Sequence, residues 1–372
     1  MRIAFYAPMK SPAHPNPSGD RNLARLIIRA LKKSGHEIIV ASHFRSYDRN
    51  GKNFSKIFQR AKFAEKRALN RLTKAIPDIW FTYHLYHKAP DLLGPAISNF
   101  FEIPYVVADA SYSPKQMDGP WATGFAEAEK AILRADKLIC FDPLDASDLS
   151  QKLQCRNKIF RMTPFVDHYI SNSELRRKAK HNLSRVLKLP AKIPYVVTVA
   201  MMRNDIKAHS YKLLANCALK HRNQKWALLI AGDGPMRNEI ENWFAGVNNV
   251  RFLGILHGSS LTDLYLAGDF MAWPALREGC AMALLEATAS GLPILAGKRP
   301  GLEQFVKNGK TGILCPEGAT AEFEDRFNLL LSHPEYCKKL RAGCENYIKK
   351  SHTINKAAEK LNKVLSQVKS EP

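Results

Sequence analysis

No apolar run in this chain of 372 residues approaches the roughly 20 that a membrane-spanning helix needs. The opening MRIAFYAPMKSP loses its apolar character at Pro8 and Lys10. That is too short for a secretory leader and reads as a first strand, so a cytoplasmic location is expected. The seven cysteines (Cys140, Cys155, Cys217, Cys280, Cys315, Cys337 and Cys344) contain no C-x2-C pair. Their odd count and irregular spacing point to neither a disulfide framework nor a zinc site, and buried, reduced thiols are expected. No G-x-G-x-x-G follows the first strand, which counts against a nicotinamide-dependent enzyme. Zinc-finger, RNP and helix-turn-helix signatures are missing too, and with them the usual modules of a basic nucleic-acid-binding protein.

The chain does have enough apolar residues, 45%, to build a sizeable core, and a length that calls for two domains. Short apolar runs alternate with amphipathic stretches. RIAFYAP reads as a strand, and NLARLIIRALKK as a helix with Leu23, Leu26, Ile27 and Leu31 on one face, stopped by Gly35. HEIIVAS, DIWFTYH, PYVVADA and KLICFDP continue the β-α-β rhythm of a parallel, doubly wound sheet. Residues 167–192 turn polar and basic and close on Pro190 and Pro194, and the rhythm restarts at YVVTVAMM. The expected organisation is an N-terminal Rossmann-like domain over 1–170, a linker over 171–194, a second Rossmann-like domain over 195–345, and a C-terminal helix over 346–372.

Charge is unevenly spread. Residues 1–194 carry 33 Lys+Arg against 17 Asp+Glu, whereas residues 195–331 carry 14 against 13. Within residues 51–76 eight basic residues face one acid, Glu65, and interleave with Phe54, Ile57, Phe58, Phe63 and Leu69. Two readings stand side by side. Such a helix can lie on an anionic bilayer surface, or it can pack its apolar stripe on the sheet and leave its charges solvated.

Five strings in the second half fall at strand ends, where ligands of open α/β sheets bind. AMMRNDIKAHS offers Arg203 and Lys207 to an anion, or merely to solvent. IAGDGP is a strand and tight turn holding Asp233 and Gly234, with Asp233 free to cap a helix or touch a ligand. FLGIL exposes backbone at Ile255, after Gly254, that can meet a base edge. PALREGCAMALLEATASGLPILAG sets Glu278 before a helix and Glu286 within it, seven residues between them. Glu286 lies between Leu285 and Ala287, where a carboxylate needs a partner. The loop Gly279-Cys280-Ala281 leads to Met282 at the helix start, whose N–H groups and dipole suit a diphosphate. KRPGLEQFVKNGKTGILCP supplies Gly301 near the ligand and a glycine turn before the last strand.

Together these strings resemble family 4 glycosyltransferases of the retaining GT-B class, over most of residues 195–330 and more faintly over 1–150. The resemblance implies an α/β fold of two Rossmann-like domains facing a cleft, with the C-terminal helix returning to the N-terminal domain. It implies that Glu286 binds the donor's ribose hydroxyls, that Glu278 lies beside the donor sugar, and that Arg203 and Lys207 neutralise the diphosphate. Residues Gly279 to Met282 would offer backbone to phosphate and sugar. NPSGDRNLARLI resembles the family's glycine-rich loop, with Gly19 as its surviving glycine. The pattern departs from the family at Cys280 and Ala281, where an aromatic and a glycine often stand, and at VADASYS, where many members carry a histidine. Asp109, Ala110 or Ser111 stands there instead, and His84 is the candidate substitute, a structural histidine at a strand end being the alternative.

The resemblance further implies retaining transfer from a UDP- or GDP-sugar without metal or other cofactor. The departing phosphate would take the acceptor proton while fixed cations and helix N–H groups stabilise it. The acceptor would be a glycan, lipid-linked or of the cell envelope, met by a cytoplasmic protein peripheral to the inner membrane face. A nucleotide-sugar epimerase or hydrolase on the same fold is the alternative chemistry; no nucleic-acid partner is expected.

Overall fold

The computed structural model describes residues 1–16, 18–154, 156–167, 172–279 and 281–370. The chain forms two compact units, Met1–Thr163 with Ile354–Pro372, and Pro164–Thr353. Unit 1 runs β1 (Arg2–Tyr6), α1 (Gly19–Lys33), β2 (Glu37–Ser42), α2 (Phe54–Leu72), β3 (Ile79–Leu85), α3 (Gly94–Phe100), β4 (Tyr105–Ala110), α4 (Ala122–Arg134), β5 (Lys137–Cys140), α5 (Pro143–Lys152) and β6 (Ile159–Arg161). Unit 2 runs α6 (Ser173–Leu187), β7 (Tyr195–Val199), α7 (Ile206–Lys220), β8 (Ala227–Ala231), α8 (Arg237–Trp243), β9 (Val250–Phe252), α9 (Gly258–Ala267), β10 (Phe270–Trp273), α10 (Met282–Ala289), β11 (Ile294–Gly297), α11 (Pro300–Glu303), β12 (Gly312–Cys315), α12 (Thr320–Ser332) and α13 (Pro334–Ser351). The last helix, α14 (Ile354–Ser370), belongs to unit 1.

Each unit is built on a six-stranded sheet whose strand pairs are all parallel. Unit 1 has the order β2-β1-β3-β4-β5-β6 and unit 2 the order β12-β11-β10-β7-β8-β9. The central strands are largely apolar because helices cover both faces; Ile3, Phe5, Trp80, Phe81, Val196, Leu229 and Met271 have no exposed surface. Connections reverse direction between β1 and β3 in unit 1 and between β10 and β7 in unit 2. At such a point the flanking loops part and leave a crevice beyond the strand ends.

Local chemistry sets the element ends. Ser18 caps α1 by accepting from the Arg21 amide at 3.2 Å, and Gly35, at φ 79°, turns the chain back into β2. In unit 1 the carboxylate of Asp91 is buried and fully engaged. It accepts from the amides of Leu93 (2.9 Å) and Gly94 (2.7 Å), from Tyr105 Oη (2.9 Å), and from Thr82 Oγ1. This network ties the start of α3 to β3 and β4, and burial pushes the Asp91 carboxyl up against those hydrogen bonds.

The polar stretch read from sequence as a linker, 171–194, contains α6. Asn172 caps it through the Leu175 amide at 3.0 Å, and Lys188 ends it in the left-handed region. Helix α6 packs on α9 in unit 2, helped by Lys180 on Asp269 at 2.6 Å. On α2, Phe54, Ile57, Ala61, Ala68 and Leu72 are buried. Lys52, Lys56, Arg60, Lys62, Lys66, Arg67 and Arg71 are exposed, and Phe63 stands out among them at 69%. The cysteines Cys140, Cys217, Cys315, Cys337 and Cys344 are free and buried, while Cys155 and Cys280 lie outside the described residues. Among the described residues no helix is long and apolar enough to cross a membrane.

Candidate functional site

The reversal point of the second sheet gathers much of the chemistry expected there. Strand β7 runs out at Val199 and α7 starts at Ile206, with the Asp205 carboxylate accepting from the Lys207 amide at 2.8 Å. Lys207 is thereby fixed in the first turn of α7. Strand β10, the neighbour of β7, ends at Trp273 and leads to Glu278. The Lys207 ammonium and the Glu278 carboxylate form an ion pair across this gap, with side chains only 22% and 15% exposed. Trp273 backs the pair: its Nε1 donates to Glu278 Oε1 at 3.4 Å, and Lys207 Nζ stands 5.8 Å from the centre of its ring. Tyr211, edge-on to Trp273 at 4.9 Å, donates to the Ala200 carbonyl at 2.7 Å and locks the loop after β7. The chain reaches Glu278 through two residues in the left-handed region, Ala275 (φ 54°) and Arg277 (φ 49°), a strain that accompanies functional loops.

Helix α10 opens at Met282, and its N-cap residue, Ala281, makes no side-chain cap hydrogen bond. Gly279 and Ala281 are half-buried beside this end and Met282 is buried; Cys280 lies outside the described residues. One turn further on, Glu286 accepts from Tyr265 Oη at 3.3 Å, and Tyr265 on α9 is itself buried. Burial raises the Glu286 carboxyl to about 7, partly opposed by the Tyr265 hydrogen bond. A carboxyl so poised has lost most of its water and has one weak partner, a state that ligand hydroxyls would relieve.

Around this pair the loops after β7, β8 and β9 are tied together. The Met202 amide donates to the Asp233 carbonyl at 3.0 Å, and the Gly232 amide to the Gly254 carbonyl at 2.8 Å. Gly232 is obligatory, since a Cβ there would lie 1.9 Å from the Ala200 carbonyl oxygen; at Gly234 it would lie 2.3 Å from that of Met202. Asp233 does not cap by side chain beyond its own turn. It accepts from the Gly234 amide at 2.7 Å and pairs with Arg237 at 3.3 Å. Ile255 follows Gly254 and is 51% exposed. Arg203 is also exposed, on the loop between β7 and α7, and pairs with neither glutamate among the described residues. Of the two expected cations, it is Lys207 that pairs with Glu278.

Unit 1 carries a second cluster, again at its reversal point. Gly19, exposed, begins α1 directly after the β1 loop, and a Cβ there would meet nothing within 4 Å. Asp20 follows it. His84 sits near the end of β3, its Nδ1 3.2 Å from Asp20 Oδ1 and 3.7 Å from Asp109 Oδ2 on β4. These are ion-pair contacts rather than well-aligned hydrogen bonds. Asp145, on the first turn of α5, accepts from Ser111 Oγ at 2.8 Å close by. Burial works against a charged imidazole here. The Asp20 contact and the charges of Asp109, Asp20 and Asp145 outweigh it and hold His84 up to about 9. Burial first, then Asp109 and Asp142, push Asp145 up to about 7, opposed by Ser111 and His84. Tyr265, Trp273, Asp20 and Asp145 were not singled out from the sequence. A hydroxyl or indole facing a carboxylate across separate elements leaves no spacing signal.

Residues 179–351 match the family model described as glycosyl transferases group 1. Sulfoquinovosyl transferase SQD2 of Arabidopsis thaliana is 34% identical over 107 residues, 28% of this chain and 21% of that protein. The D-inositol 3-phosphate glycosyltransferase of Saccharomonospora viridis is 26% identical over 233 residues, 59% of this chain and 53% of that one. The chain thus spans about half or less of the length of these curated relatives. Among solved structures, sucrose-phosphate synthase from Thermosynechococcus elongatus superposes with a TM-score of 0.77 at 16% identity, covering 99% of this chain and 98% of that one. Anabaena HepE, solved with UDP and glucose, gives 0.73 at 15% identity, covering 99% and 100%. The fold is therefore the GT-B fold, and residues 179–351 are similar to the glycosyl transferases group 1 family.

Proposed function

We propose that this protein transfers a sugar from a nucleotide-diphosphate sugar to a hydroxyl acceptor, with retention at the anomeric carbon. The observation that carries the reading is the Lys207–Glu278 pair at the reversal point of the second sheet, flanked by the start of α10 and by Glu286 one turn inside it. In this reading Glu286 accepts from the ribose hydroxyls and Ile255 backbone meets the base. Gly279 to Met282 offer amides to phosphate, and Lys207, joined by the exposed Arg203, balances the charge that grows on the leaving diphosphate. Glu278, already paired, is a poor nucleophile and a good hydrogen-bond acceptor for a sugar hydroxyl. The acceptor proton passes to the departing phosphate oxygen, so no strong protein base is needed and no resident metal enters the scheme. The HepE structures hold UDP, UDP with glucose, or UDP-glucose, which supports a uridine donor here without separating it from a guanosine one.

The acceptor side of the reading lies in unit 1, near Gly19 and His84, with a glycan or lipid-linked acceptor. The exposed basic face of α2, with Phe63 projecting from it, supports contact with an anionic bilayer from the cytoplasmic side. The deciding experiment is thermal-shift screening of UDP-, GDP- and ADP-sugars followed by acceptor-dependent release of the nucleotide. Stabilisation by one nucleotide series is expected. No stabilisation by any of them, or release of free sugar regardless of acceptor, would overturn the assignment.

A further inference from the structure

The cluster around His84 is built in a way that packing alone does not explain. Strands β3 and β4 pair Tyr83 with Ala108 and Leu85 with Ala110, so His84 and Asp109 occupy one rung. Both leave extended geometry at that rung: His84 has φ 60° and Asp109 φ 63°. Neither is a glycine, and two facing residues in the left-handed region within a parallel sheet mark strain kept for a purpose. The distortion brings an imidazole and a carboxylate together at 3.7 Å, and Asp20 closes on the same nitrogen from α1 at 3.2 Å. The three side chains come from three elements and remain about a quarter exposed. An apolar rung would hold the sheet better than a set of half-buried charges.

We infer that Asp20 and Asp109 are positioning residues that clamp His84 as an imidazolium at the reversal point of the first sheet, presenting its Nε2–H to an oxygen of the substrate. The inference rests on the sugar-transfer reading above and deepens it by naming which groups set the state of the ring. With Nδ1–H held between two carboxylates, the ring keeps both protons through neutral pH. Its second N–H is then a charge-assisted donor of fixed direction, suited to a sugar hydroxyl or a phosphate oxygen. The charged or titratable groups facing the ring are Asp20 from α1, Asp109 from β4, Asp145 from α5, Tyr83 from β3, edge-on at 5.8 Å, and Tyr86 from its own connection, whose ring lies 5.2 Å away. Asp145 buffers the cluster, since it gains a proton near neutrality while His84 keeps its own.

The test is a titration of the His84 ring C–H resonances in the full-length chain, assigned by difference from His84→Gln. A midpoint near 9 is expected for the unchanged protein. It should fall by about 1–2 pH units in Asp20→Asn and again in Asp109→Asn, the usual effect of one carboxylate at this range. Asp20→Glu and Asp109→Glu should restore it. The alkaline limb of kcat should move by the same amount and vanish in His84→Gln, with KM for the donor little changed. Asp20, at a helix start with ordinary backbone, keeps the test open if Asp109→Asn does not fold. A midpoint at or below 6.5, or one indifferent to both Asn variants, overturns the clamp. A midpoint that moves while the kcat limb stays overturns its part in the reaction. Failure of every nucleotide-sugar to support transfer in the unchanged protein would sink the underlying reading instead, leaving the titration as an independent result.

Discussion

Replacing Lys207 with methionine keeps the stem that lies beside Trp273 and removes the charge. The Glu278 carboxylate, 15% exposed, is then left with the Trp273 indole N–H at 3.4 Å as its remaining side-chain donor. An exposed ion pair is worth about 0–1 kcal/mol and a fully buried one costs about 3–5 kcal/mol to break. With partners 22% and 15% exposed, this one should fall between, at about 2 kcal/mol. Unit 2 spans Pro164–Thr353, and for a unit of that size the loss lowers its melting temperature by roughly 4–8 °C. The second variant, Lys207→Met/Glu278→Gln, removes the stranded charge while keeping an acceptor for Trp273, so most of the stability should return. Transfer should not return, because the cation facing the leaving diphosphate is still missing. Turnover should stay about 10²–10³-fold down in both variants. Calorimetry on the full chain gives the first quantity and nucleotide release the second. If the double variant melts no higher than the single one, the cost is not an uncompensated charge. If either variant turns over at the unchanged rate, Lys207 has no place in the site.

Three further outcomes follow from the geometry. Folding holds the Glu286 carboxyl protonated up to about 7, whereas an unfolded glutamate ionises near 4.3, so stability falls as pH rises across that window, by about 3–4 kcal/mol. Glu286→Gln should therefore melt like the unchanged protein at pH 4 and above it at pH 8, while binding the nucleotide at least tenfold more weakly; equal melting at both pH values would refute the burial argument. In unit 1, Asp91→Ala strands Tyr105 Oη, Thr82 Oγ1 and the amides of Leu93 and Gly94. Urea unfolding should show a loss of about 3–5 kcal/mol, with Asp91→Asn milder, and a change below 1 kcal/mol would mean that water replaces the carboxylate. Reversing charge at Lys62, Lys66 and Arg67 on the exposed face of α2 should abolish flotation with phosphatidylserine vesicles without lowering the melting temperature; equal flotation with neutral and anionic vesicles would remove the bilayer reading.

Periodicity in the sequence exposes what is repeated and local. The strands of both sheets other than the short β6, and the α1 and α10 helices, are readable because buried faces recur at fixed intervals, and Glu286 draws notice as a carboxylate in the apolar string LLEATA. Lys207 and Glu278 are found as residue types, but their pairing needs β7 and β10 to be neighbours, 71 positions apart in the chain. The partners of each group escape for the same reason. Tyr265 is 21 residues from Glu286, and Asp20 approaches His84 only once β1 and β3 are side by side. Helix α6 is misread as a linker because only Ala179 and Ser184 on it are buried, so its composition is that of a tether.

The return of α14 has a consequence for the order of synthesis. Ile354, Ala357, Ala358, Leu361, Val364, Leu365 and Val368 are buried, α14 lies along α1, and Ser34 Oγ donates to the Ala358 carbonyl at 2.9 Å. Unit 1 is thus discontinuous, and α14 leaves the ribosome after every strand of unit 2. The contiguous span Pro164–Thr353 has all of its own strands available earlier. Nascent chains ordinarily close from the N-terminus onward; here the later-made unit can finish first, while the first-made one waits with an uncovered helix face. A stop introduced before Ile354 would be felt in the unit that holds Met1–Thr163, making it a target for chaperones and proteases even though every residue of its sheet is present.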